Sequence, residues 1–247
     1  MKRKKIYKII FCLILFFSIS FTVYSFNNFM FEKAEIKETK KQLEKIEIKE
    51  EKLEKTSTEL SLVDKYNRYK AEFNNNDIIG TLTIKGSGID VILVQTDNNS
   101  YYLNHLIDRT YNKMGSVFVD YRTNIESSRQ INIYGHNSDF YDLPFKRLEY
   151  YLDYEFFVSN QIVLIETVNG TKTFEIFSVK VITDDIEHTK VSFSNDEDFS
   201  NHIKRLRSNS LYDSNIEVLG SNRILVLQTC LMDSTLGEYL IILGREV

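Results

Sequence analysis

The stretch "ILVLQTCLMDSTLGEYLIIL", Ile224–Leu243, holds two aliphatic runs separated by a polar, glycine-containing connection. Each run is short, rich in Ile, Leu and Val, and bounded by turn-forming residues, which predicts two neighbouring β-strands. Cys230 closes the first of them. It is the only cysteine outside an N-terminal apolar segment, so it is either a small buried hydrophobe or a nucleophile held at a strand end.

Strands of the same kind fill the chain from Ile78 onward. "IIGTLTIKGSGIDVILVQ", "GSVFVDY", "INIYGH", "QIVLIETV" and "KTFEIFSVKVI" precede the cysteine strand, giving seven or eight in all. The Asn-Gly in "VNGTK", Val168–Lys172, marks a tight hairpin. Helical spacing interrupts the strands at Leu143, Arg147, Leu148, Tyr151 and Leu152, and again at Phe199, Ile203 and Leu206. The composition of elements predicts a mostly β fold, a closed antiparallel barrel with peripheral helices.

N-terminal to the barrel, Leu62, Tyr66, Tyr69 and Phe73 form an amphipathic stripe that follows Thr and Ser caps and stops at Asn74–Asp77. Residues 32–55 are dominated by Lys and Glu at helical spacing and read as a solvated stalk. From Ile9 to Phe31 there are 23 residues without a formal charge, preceded by "MKRKK". That is long enough for a membrane span of ~20 residues, with the basic segment, residues 1–8, in the cytoplasm. A cleaved signal peptide ending near Ser18-Ile19-Ser20 is the competing reading. The apolar residues continuing to Phe31 favour an uncleaved signal anchor, with the domain of residues 56–247 outside the cell.

The balance of 31 basic against 35 acidic residues offers no field for nucleic acid. Cys12 lies in the expected span and cannot pair with Cys230, so no disulfide framework exists. The acidic run Asp196, Glu197 and Asp198 is explained by a helix N-terminus rather than a calcium site, and neither metal nor cofactor is expected.

A cysteine nucleophile needs a proton partner, and four histidines are available. His202 stands beside Lys204 and Arg205 and reads as a solvated surface residue. His188 sits in the polar connection "TDDIEHTK" with no element to position it. His105 follows two tyrosines and reads as a packing or capping residue. His136 differs, because it leaves a strand end at "INIYGHN" just as Cys230 leaves one at "ILVLQTC". Two such exits face one pocket if the strands are neighbours.

These segments resemble the class B sortases, cysteine transpeptidases of Gram-positive cell surfaces. The family's T-L-x-T-C is matched by Leu227-Gln228-Thr229-Cys230, with Val226 at the first position, and its histidine motif by Tyr134-Gly135-His136-Asn137. A class B segment is matched by Gly115, Phe118, Asp120, Tyr121 and Arg122. The resemblance covers about Thr56 to Val247. It implies that Cys230 attacks the Thr carbonyl of a C-terminal sorting signal, forming a thioester that an amine of the cell-wall peptide resolves. His136 serves as acid and base. The partners it implies are surface proteins carrying that signal.

One expected feature is missing. The family places an arginine at the start of the strand after the cysteine, where this chain has Glu238 and Tyr239. Arg245 and Arg223 lie a strand's length away, ~20 Å, and Arg122 is within reach only if the fold brings it there. Tyr239, Glu238 and Thr229 are the local candidates for positioning the oxyanion or substrate. The alternatives are a weakened or inactive sortase-fold protein that binds sorting signals or a partner, and a surface structural module in which Cys230 is only core.

Overall fold

A computed structural model describes residues 2–57, 60–183, 186–231 and 237–247, with side chains 2–16, 19 and 57 excluded. The chain divides into two compact units, Met1–Glu47 and Ile48–Val247. Helix α1 (Lys2–Ser57) carries the backbone through the segments read as basic leader, span and stalk. Among the described residues no helix is long and apolar enough to cross a membrane. Much of the expected span, Ile9–Phe16 and Ile19, lies outside the described side chains.

In the second unit, helix α2 (Leu62–Phe73) begins where the Ser61 side chain accepts from the Asp64 N–H, and ends at Asn74 in the left-handed region. Its stripe buries Tyr66, Tyr69 and Phe73. The Tyr66 hydroxyl donates to the Glu166 carbonyl at 2.9 Å, and Lys65 pairs with the Glu166 carboxylate at 3.0 Å.

Among the described residues eight strands follow: β1 (Ile78–Ile84), β2 (Ile89–Val94), β3 (Phe118–Val119), β4 (Gln130–Tyr134), β5 (Ile162–Thr167), β6 (Gly170–Ile182), β7 (Ile224–Cys230) and β8 (Tyr239–Glu246). They close in the order β1-β2-β3-β4-β7-β8-β6-β5. The expected barrel is present, but its sheet is not wholly antiparallel, since β2·β3 and β4·β7 pair in parallel. A parallel pair needs a long crossover. The chain between β4 and β7 supplies one with β5, β6 and helix α4 (Asp196–Arg207). β5 and β6 turn tightly through Val168 and Asn169, with Thr167 opposite Gly170.

Alternation sorts each strand into an inner and an outer face. Leu82, Ile133, Ile165, Leu225, Leu227 and Leu240 point into the barrel. The segment Pro144–Leu152 is a 3-10 helix rather than the expected α-helix. Pro at its first position and three-residue spacing place Phe145, Leu148 and Tyr151 on one side, where they join the barrel core. Helix α3 (Tyr154–Ser159) is N-capped by Asp153. α4 packs Phe199, Ile203 and Leu206 on the outer residues Ile224, Val226, Ile241 and Leu243.

Leu148 is fully buried in this core. Leu148→Ala is expected to cost about 2–5 kcal/mol of stability, read as a lowered denaturant midpoint with an unchanged slope.

Candidate active site

The outer face of β7 runs Ile224, Val226, Gln228, Cys230. α4 covers the first two, and the last emerges beyond that cover, where Cys230 is exposed. Thr229 faces the other way and is buried, its hydroxyl donating to the Gly135 carbonyl at 2.9 Å. On β8, Tyr239 stands directly opposite Cys230. On β4, Tyr134 stands beside Gln228 in parallel register. Two residues further along each chain are His136 and Cys230, which is how two sequence-distant exits come to one place.

The chains stay laced beyond the strand ends. Gly135 N–H donates to the Gln228 carbonyl at 3.2 Å, and Asn137 Nδ2 donates to the Cys230 carbonyl at 2.9 Å and to Glu149 at 2.6 Å. A Cβ on Gly135 would lie 2.6 Å from two ring carbons of Phe145, so only glycine lets the chain pass that core ring.

Cys230, His136, Tyr239, Tyr134, Gln228 and Leu103 all line one pocket of about 320 Å³. His136 Nε2 donates to the Leu103 carbonyl at 2.8 Å. Although Cys230 is exposed as a residue, the protein packed round its thiol raises the pKa by partial desolvation, with no cation offsetting it. Burial likewise pushes Tyr134 to about 12, so its phenol stays protonated and serves as a donor rather than a base.

Behind the pocket runs a polar ladder on the outer face of β4. The Tyr134 hydroxyl donates to Asp120 Oδ2 at 2.9 Å, and Gln130 and Asn132 both donate to the His188 carbonyl, at 2.7 and 2.9 Å. Burial pushes the Asp120 carboxyl up, but bonds from Arg122 and Tyr134 outweigh it and hold the pKa below the ordinary value.

Two histidine readings need correction. His188 is buried, and its Nε2 bonds Gln228 Oε1 at 2.8 Å, so it supports the pocket floor from a short 3-10 helix, Glu187–Thr189. His202 is fully buried between Glu187 (2.8 Å) and Gln130 (2.7 Å), not solvated. Burial holds its pKa below the ordinary histidine value against the opposing pull of Glu187. His105 stacks on Tyr101 at 4.0 Å between ring centres.

Among the described residues no arginine lines the pocket. Arg122 is engaged with Asp120 at 2.6 Å and the Thr189 carbonyl at 3.1 Å. Arg223 and Arg245 pair with Glu246 and Glu175 at the far end of β7 and β8. Glu238 is half-buried just before β8, its carbonyl accepting from the Leu231 N–H at 2.8 Å, and is not among the pocket-lining residues. Tyr239 is thus the residue of the expected arginine region that reaches the pocket.

The chain is 30% identical to a mutant form of Clostridium perfringens sortase B in which a cysteine is replaced by serine, covering 75% of this chain and 87% of that one with a TM-score of 0.70. It is 32% identical to Listeria monocytogenes sortase B, covering 72% of this chain and 98% of that one with a TM-score of 0.65. The chain belongs to the class B sortases. Among curated relatives, a sortase B of Listeria monocytogenes is 35% identical over 157 residues, a match spanning 63% of each chain. No family model matches the chain. For a class B sortase, the pairing of β4 with β7 accounts for how the Tyr-Gly-His-Asn and Thr-Cys motifs meet.

The raised pKa of Cys230 means less thiolate at neutral pH. The iodoacetamide alkylation rate should climb with pH through a midpoint above that of a free thiol, ~8.5. A midpoint below that value would show a cation acting on the sulfur.

Proposed function

We propose that the chain is a cell-surface cysteine transpeptidase that cleaves a C-terminal sorting signal and transfers the protein to an amine of the cell-wall peptide. The observation that carries this reading is the arrangement of Cys230 and His136 in one pocket, at matching exits of neighbouring parallel strands. The Cys230 sulfur attacks the scissile carbonyl, and the tetrahedral intermediate collapses to a thioester as His136 protonates the leaving amine. The incoming amine gives its proton to His136, attacks the thioester and releases the thiol.

The negative oxygen of the intermediate needs a donor. Tyr239, opposite Cys230 and in the pocket, supplies a phenol where the family carries an arginine. A neutral hydroxyl stabilises an oxyanion less than a guanidinium does, so the enzyme is expected to be slow. The 23 uncharged residues from Ile9 to Phe31, behind the basic "MKRKK", support a single membrane anchor with the catalytic domain outside the cell.

The absence of a pocket arginine among the described residues favours one second reading, a sortase-fold protein that binds sorting signals without turnover.

A fluorogenic sorting-peptide library separates the two readings. Cleavage that Cys230→Ala abolishes, with a thioester mass adduct on Cys230, is the expected result; binding without turnover or adduct supports the second reading. Tyr239→Phe should lower kcat by ~10²–10³ if its hydroxyl is the oxyanion donor, leaving KM nearly unchanged.

A further inference from the structure

A histidine that shuttles protons needs one ring nitrogen held and the other free, because a neutral imidazole that exchanges tautomers offers the wrong nitrogen part of the time. In catalytic triads a third side chain holds it. Among the described residues no side chain hydrogen-bonds His136. Asn137, its neighbour in the motif, is turned away to Glu149 and the Cys230 carbonyl.

The partner of His136 is a main-chain group, the Leu103 carbonyl, 2.8 Å from Nε2. A carbonyl only accepts, so Nε2 carries the proton and Nδ1 keeps the lone pair. That carbonyl is built in from behind. Ser116 N–H donates to the Tyr102 carbonyl at 2.9 Å, Asn112 N–H to the Asn104 carbonyl at 2.9 Å, and the Ser116 hydroxyl to the His105 carbonyl at 3.0 Å. Tyr102 is buried, its hydroxyl donating to Asp77 at 2.8 Å. Gly115 lies at φ +58°, and a Cβ there would stand 2.3 Å from the Tyr102 oxygen and 2.8 Å from both the carbon and the oxygen of the Leu103 carbonyl.

We propose that the Leu103 carbonyl is the orienting third member of the catalytic group, and that Gly115 is the positioning residue that makes room for it. This rests on the transpeptidase reading above. The thiol proton passes to Nδ1 while Nε2–H stays on Leu103. Nδ1 then returns that proton to the leaving amine nitrogen as the C–N bond breaks. In the second half, Nδ1 takes the proton of the accepting amine and delivers it to the departing sulfur. The carbonyl faces the ring in both charge states, so the imidazole does not turn between half-reactions.

The test uses the full chain in detergent micelles with ¹⁵N-labelled histidine, His136 signals being assigned by their loss in His136→Gln. The neutral ring is expected as the Nε2–H tautomer; an Nδ1–H ring in the wild-type chain overturns the proposal, even if Gly115→Ala proves unable to fold. In folded Gly115→Ala the fixed tautomer should be lost and kcat should fall ~10²-fold. Gly170→Ala, at φ +119° in an open hairpin with nothing within 4 Å, should change neither. A folded Gly115→Ala that keeps both tautomer and rate overturns the proposal. A chain that cleaves no peptide yet shows a Gly115-dependent Nε2–H tautomer overturns the transpeptidase reading and keeps the contact. One that cleaves peptide with an Nδ1–H ring does the reverse.

Discussion

The parallel pairing of β4 with β7 is the constraint from which the site follows. Their register sets Tyr134 beside Gln228. Side chains alternate along a strand, so the next outward positions are His136 and Cys230. Neither residue is placed by its own loop. Three bonds continue the lacing past the strand ends: Gly135 N–H to Gln228, the Thr229 hydroxyl to Gly135, and Asn137 to the Cys230 carbonyl. Thr229 therefore braces the backbone of the segment bearing His136, with its hydroxyl already committed.

The same outer face explains why the site is dry on one side and polar on the other. α4 seals the early half of β7 and the middle of β8 with Phe199, Ile203 and Leu206. Along β4 the outward residues are Gln130, Asn132 and Tyr134, bonded rather than apolar, and the first two are fully buried. They hold the segment bearing His188, which in turn fixes Gln228 beneath the pocket. With Arg122 spent on Asp120, the thiol feels desolvation without a compensating cation. That is the physical basis for expecting little thiolate here at neutral pH, and Tyr239 is the phenol proposed to face the oxyanion.

Much of this is legible in the sequence. Aliphatic alternation marks the strands, and the exits after Tyr134-Gly135 and Gln228-Thr229 mark His136 and Cys230 as candidates. His202 reads as solvated because Lys204 and Arg205 flank it. Yet it lies three residues from Phe199 and four before Leu206, on the apolar stripe itself, and that spacing is the available signal. His188 carries no such signal, because its position depends on donors reaching across the fold from β4. The parallel register is also out of reach, since nothing local records a pairing across the whole β5–α4 crossover. The 3-10 form of Pro144–Leu152 is hidden because apolar residues three and four apart suit either helix.

Direct proximity of residues 136 and 230 is the claim everything else requires. Neighbouring strands lie ~4.8 Å apart, within the ~4.4–6.8 Å that a disulfide spans between Cα atoms. The most direct measurement is therefore oxidation of the His136→Cys variant in the full chain with Cys12 replaced by serine. The account expects an intramolecular disulfide between positions 136 and 230, seen as a single cross-linked peptide pair and the loss of both free thiols. Thiols that stay free, or that join only between chains, would contradict it.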